Sequence, residues 1–193
     1  MLTGGTSLEA WIDRQIAFCL RHWVALSSLF ALAVAGGAVA IPLLAAGGYD
    51  TLAWLGYKAY RVLCPQRPDH SWFIAGEKMG FEQRDTAIFV AGAIAGPVYV
   101  LARRLGFRKL DGRVVLVLIV PILYDVFSQM VGLRDSNGFW RSLTGGLAVF
   151  AIAGWLYPMI DEDFQKALDT IARKQARRER EALARAGNPV AAD

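Results

Sequence analysis

From Trp23 to Gly47 the chain reads WVALSSLFALAVAGGAVAIPLLAAG, a run with no charged residue. At 1.5 Å rise per residue, a helix over it exceeds the roughly 30 Å hydrocarbon core of a bilayer. Such a run is built to cross a membrane, with tilt or a bend near Pro42. Three further runs follow: Thr86 to Ala102, short for a span and interrupted by Pro97, then Arg113 to Gly132, then Gly138 to about Ile160. The few residues between the last two, LRDSN, force them to lie antiparallel and adjacent. A hydrophobic share of 55% agrees with spanning helices joined by wet loops. The net charge of +4 then belongs to cytoplasmic loops facing anionic headgroups. No nucleic-acid-binding motif accompanies that charge, which argues against DNA or RNA as a partner. The expected fold is all-α: an integral membrane four-helix bundle with interfacial helices and a cytoplasmic C-terminal amphipathic helix. Residues 1–160 would form the membrane domain and 161–193 a basic helical tail.

The segments between the runs suggest how the bundle is framed. SLEAWIDRQIAFCL, with Ser7 as a possible cap and apolar residues at Leu8, Trp11, Ile12, Ala17 and Phe18, reads as an amphipathic helix at the interface. YDTLAWLGYKAYRVLC carries Trp54, Tyr57 and Tyr60, the aromatic enrichment found at headgroup level. The tail opens on the acids of DEDF and becomes basic in RKQARRER, which complements a helix dipole; its last residues, AGNPVAAD, should fray. The tail's basic face suits anionic lipid headgroups or docking onto a cytoplasmic partner. With the N-terminus inside, the outer segments hold seven of the 21 Lys and Arg, so both termini are expected in the cytoplasm. The N-terminal stretch lacks the features of a cleavable signal peptide. Cys19 and Cys64 then lie at opposite faces and form no structural bridge. Gly92 with Gly96, and Ser142 with Gly146, are small-residue pairs that let helix backbones approach.

Within the third run, VLIVPILYDVFSQMVG carries Asp125 and Gln129 one helical turn apart. An ionised carboxylate at the bilayer centre costs about 2.5–3.5 kcal/mol on insertion scales, so Asp125 must face protein or water and find a partner. Gln129 at i+4 can donate to it, and across the hairpin Arg141, with Thr144 one turn on, can reach inward. Three readings follow. The cluster is a buried clasp fixing the hairpin register, or an outward-facing polar cavity for a proton, ion or small ligand, or a face for a partner subunit.

Cys64, Gln66, Trp72, Phe73, Arg84 and Thr86, followed by Asp125, Gln129, Asn137, Arg141, Thr144 and Gly145, carry a resemblance. Over roughly residues 50–150 the chain resembles a family of small prokaryotic membrane proteins, a domain of unknown function. Its pattern is Cys-His-Gln, then Cys-x-Arg-Cys-Thr-Gly entering a helix, then Asp-Gly-x-x-Gln and Asn-x-x-x-Arg-x-x-Thr-Gly helices. In that family the Cys and His positions imply a soft metal site or thiol cluster. Here the His position is Pro65 and the paired Cys positions are Glu82 and Asp85. A mixed site of Cys64, His70, Glu82 and Asp85 can be drawn, but the spacing does not demand it. Cys64 is therefore expected to be an ordinary thiol, with Glu82 and Asp85 paired to Arg84 or Lys78 or solvated, and with no metal or cofactor. No nucleophile–base pair or phosphate loop stands out. A non-enzymatic structural or accessory subunit of a larger membrane assembly is the first expectation, in contact with lipid and protein partners. The alternatives are a small transporter or channel component using Asp125, and a thiol or metal enzyme in the family pattern.

Overall fold

The computed structural model describes residues 4–186. In order it contains α1 (Gly4–Ala46), α2 (Asp50–Tyr60), a 3₁₀ turn (Pro68–His70), β1 (Ser71–Ile74), β2 (Glu77–Glu82), α3 (Gln83–Arg104), α4 (Gly112–Met130) and α5 (Gly138–Ala186). Four of these helices, α1, α3, α4 and α5, are long and apolar enough to cross a membrane, as the hydropathy runs require. Each also carries an internal proline: Pro42, Pro97, Pro121 and Pro158. Spanning helices tolerate this because neighbouring groups take up the freed carbonyl.

Two compact units are distinguished, residues 24–158 and residues 1–23 with 159–193. In the larger unit, close helix contact rests on the small residues. A side chain added at Gly96 of α3 would collide with Ser28 Oγ and come within 3.2 Å of the Val24 carbonyl on α1; one at Gly92 would meet Ala31. The Gly92/Gly96 pair is thus the α1–α3 seam. In α5, Gly145 and Gly146 face α3 at Arg84 and Ala91, while Ser142 donates to the Gly138 carbonyl of its own helix, 2.7 Å away. The α4–α5 hairpin begins where Gly132 takes a left-handed φ of 70°. Leu133 N–H then bonds the Ser128 carbonyl and Gly132 N–H that of Gln129, satisfying two helix-end acceptors. At the other end of α4, the Asp111 carboxylate caps the helix by accepting from Arg113 N–H at 2.7 Å.

The stretch between α2 and α3 was expected only to lead from a surface helix into the second span. It contains a two-stranded antiparallel hairpin, β1–β2, with Ile74 opposite Glu77. Ala75 and Gly76 both have positive φ, 53° and 83°, the geometry whose twist matches paired strands. Alternation along EKMGFE is weak, because Met79, Gly80, Phe81 and Glu82 are all buried against the helices, so no period-2 signal marks the strand. Phe81 stacks on Phe89 of α3 (5.1 Å, 8°) and meets Tyr60 of α2 at 4.7 Å, over Ala38 of α1. The Tyr60 hydroxyl donates to the Val34 carbonyl at 2.7 Å, seating α2 against α1.

In the smaller unit, the N-terminal stretch of α1 lies along the C-terminal stretch of α5. Asp13 accepts from Arg178 at 3.0 Å and pairs with Lys174 at 3.4 Å; Arg178 also pairs with Glu9. Trp23 packs edge-on to Phe164 at 5.6 Å. One sequence expectation changes here. The stretch before Trp23 is not a separate interfacial helix but part of α1, because residues 8–22 hold no Gly or Pro to stop it; Ser7 lies inside the helix rather than at its cap. Within RKQARRER the exposed Lys174 and half-buried Arg178 also neutralise a buried Asp13, while the exposed Arg177 pairs with Glu181 at 3.0 Å. Asp13 is buried against its cations, while Leu8, Trp11 and Phe18 are exposed alongside Arg14 and Arg21. The fraying expected for the last residues concerns 187–193, outside the described residues.

Candidate functional site

Asp125 is 1% exposed, and its carboxylate is held on both oxygens. Arg84, in the first turn of α3, donates to Oδ2 at 2.6 Å; Arg134, from the α4–α5 loop, donates to Oδ1 at 2.8 Å. Gln129 Nε2 donates to Oδ2 at 3.1 Å and to the Asp125 carbonyl at 2.7 Å, as its i+4 spacing predicted. Arg141 does come to the cluster, 5% exposed, but not to the carboxylate itself. Its Nε donates to Gln129 Oε1 at 3.2 Å and its Nη1 to Gln83 Oε1 at 3.3 Å. Gln129 thus bridges aspartate and arginine across the hairpin. Thr144 is buried beside them, and its hydroxyl returns to the Trp140 carbonyl at 2.8 Å. A cavity of about 230 Å³ lined by Pro121, Tyr124, Asp125, Arg134, Trp140 and Thr144 opens next to the cluster.

The partners that sequence reasoning missed are Arg84, Arg134 and Gln83. Arg84 was expected beside Glu82 or Asp85, its sequence neighbours. At the start of α3 successive side chains point about 100° apart, so Arg84 faces α4 while Asp85 turns away. Lys78 does not pair with those acids either: its ammonium donates to the Gln66 carbonyl at 2.6 Å, and burial pulls its pKa below the usual lysine value.

A second cluster forms where the loop after α2 meets the start of α3. Cys64 is 1% exposed, among Ala38 and Phe81. Its Sγ accepts from Glu82 N–H at 3.4 Å, and the thiol is hydrogen-bonded to the Asp85 carboxylate. Burial, then that carboxylate, pushes the thiol pKa up to about 11. Glu82 binds the Arg67 backbone N–H at 3.0 Å and its guanidinium at 3.3 Å, and the second oxygen lies 3.5 Å from His70 Nδ1. Burial raises the Glu82 pKa, but the Arg67 contacts outweigh it and hold the carboxyl below its ordinary value. The donor atoms of Cys64, Glu82 and Asp85 all lie within 4.8 Å of one another. Gln66 and Thr86 serve this junction structurally: Gln66 Nε2 donates to the Tyr57 and Gly80 carbonyls at 2.9 and 3.1 Å, and Thr86 to the Glu82 carbonyl at 3.0 Å.

Comparison with known proteins places this arrangement. An uncharacterised protein of Methanocaldococcus jannaschii is 29% identical over 111 residues, covering 57% of this chain and 71% of the relative. An uncharacterised protein of Methanothermobacter thermautotrophicus is 28% identical over 95 residues, covering 47% of this chain and 85% of the relative. No solved structure matches. Residues 64–154 match the family described as "Predicted membrane protein (DUF2085)", a stretch that begins at the thiol cluster and contains the whole Asp125 clasp. Over that stretch, just under half of its length, the chain is similar to this family of predicted membrane proteins.

Proposed function

We propose that the protein is a non-enzymatic structural or accessory subunit of a larger membrane assembly, with α3, α4 and α5 locked together by the Asp125 clasp. One observation carries this reading: both oxygens of the intramembrane carboxylate are already taken by Arg84, Arg134 and Gln129. A carboxylate that relays protons or ions must exchange partners with water or cargo, and here exchange would leave the partly buried Arg84 guanidinium without its counter-charge. Rigid packing surface is what such a core supplies. Both termini lie in the cytoplasm on this reading, with the exposed Arg173 and Arg180 of the tail facing anionic headgroups or a partner. Gentle solubilisation followed by size analysis and mass spectrometry of copurifying proteins tests it. A reproducible set of integral-membrane partners is expected; a monodisperse monomer with none would overturn it.

The cavity beside Asp125 favours a second reading, a small transporter or channel component. Ion or solute uptake into liposomes by the wild type, lost in folded Asp125→Asn, would select it over the first.

A further inference from the structure

We propose that Cys64, Glu82 and Asp85 form a binding site for a divalent transition-metal cation of borderline softness, such as Zn²⁺. Two separated segments deliver the donors: the loop after α2 gives Cys64, and the junction where β2 runs into α3 gives Glu82 and Asp85. Their donor atoms already lie within 4.8 Å of one another. A tetrahedral zinc with sulfur at about 2.3 Å and oxygens at about 2.1 Å needs donors about 3.4–3.7 Å apart, within reach of small side-chain rotations. The donor mixture selects the ion. One thiolate with two carboxylates is too poor in sulfur for Cu⁺ and too soft for Mg²⁺ or Ca²⁺.

Charge balance points the same way. Cys64 as thiolate and the two carboxylates carry three negative charges. The Arg67 guanidinium, 3.3 Å from Glu82, returns one, and Arg84 is committed to Asp125 at 2.6 Å. The Lys78 ammonium, which interacts with Cys64 and Glu82, offsets part of the remainder, and a divalent cation neutralises the rest. Metal binding breaks the Cys64 S–H bond, forms the metal–sulfur bond, and sends the proton to solvent. His70 completes the arrangement from behind. Its two ring nitrogens lie 3.2 Å from Asp69 and 3.5 Å from Glu82, so it orients the Glu82 carboxylate as an outer partner and leaves the fourth position to water. Bound metal would tie the outer loop to the start of α3, next to the Arg84 clasp.

The test uses the full chain in detergent, stripped with chelator, incubated with Zn²⁺ and separated from free metal. About one zinc per chain is expected by elemental mass spectrometry, with a rise in Tm. Co²⁺ loading should give a near-ultraviolet thiolate-to-cobalt charge-transfer band, present in Cys19→Ser and absent in Cys64→Ser. Asp85→Asn, nearly isosteric and checked for unchanged helicity, should lower affinity about tenfold or more, and His70→Ala by about 10–100-fold. A folded wild type that retains no zinc and shows no Tm shift would overturn the proposal. So would a Cys64→Ser protein that binds Co²⁺ with the wild-type spectrum, or an Asp85→Asn protein of wild-type affinity.

Discussion

Asp125 shows how one side chain can set the stakes for a whole bundle. Its removal does not simply delete hydrogen bonds; it leaves the partly buried Arg84 without its counter-charge, while the exposed Arg134 can turn to solvent. Breaking a fully buried ion pair costs about 3–5 kcal/mol, which sets the upper bound here because the Arg134 side chain is 41% exposed. Asp125→Leu is therefore expected to lower the unfolding temperature sharply and reduce expression, as thermal unfolding in detergent will show; wild-type stability would remove the clasp reading. The two cysteines offer a milder contrast. Cys64 is buried with its pKa near 11, whereas Cys19 is exposed. At pH 8 about one Cys64 thiol in a thousand is ionised, and the thiolate is the nucleophile. A maleimide should label Cys19 and spare Cys64 in the folded, metal-free protein, and equal rates would contradict the burial. Because the folded pKa lies above the ordinary value of 9.0, the Cys64 thiol favours folding below pH 9 and loses that contribution as pH rises towards 11. The wild type should lose stability over that window more than Cys64→Ser does.

Among the elements, the α1–α3 contact is the one most exposed to a single substitution. Gly96 sits where a Cβ would strike Ser28 and approach the Val24 carbonyl. Gly96→Leu forces the helices apart, with an expected loss of about 1–3 kcal/mol, read from unfolding in detergent. Gly146, whose Cβ would stand at an ordinary 3.8 Å from Ala91, should accept alanine with little change. The hydropathy runs revealed these helices because spanning is a local property of 20 or so residues. The same runs concealed the length of α1 and α5, whose polar ends continue without a stop signal, and the β1–β2 hairpin, whose second strand is buried too evenly to alternate.

For the whole molecule, placing both termini in the cytoplasm has a direct readout. A membrane-impermeant protease added to intact cells should leave the tail uncut and remove it from inverted vesicles. Cleavage in intact cells would invert the topology and move the Cys64 and Asp125 clusters to the cytoplasmic side. The exposed apolar face of α4, with Leu116, Val117, Leu123, Phe127 and Met130, requires lipid, detergent or a partner under either orientation.

By itself the sequence determined the four crossings, the α4–α5 hairpin and the pairing of Asp125 with Gln129, because hydropathy sums over neighbours and i+4 contacts are local. It also singled out Arg141 and Thr144, which lie just across a short loop. Only the tertiary structure decided that Arg84, 41 residues away, is the aspartate's counter-ion. The same packing turns Asp85 towards the Cys64 thiol and Glu82 towards Arg67, rather than towards Arg84 or Lys78. Helix packing sets which charges share a low-dielectric interior, and no spacing along the chain encodes that distance.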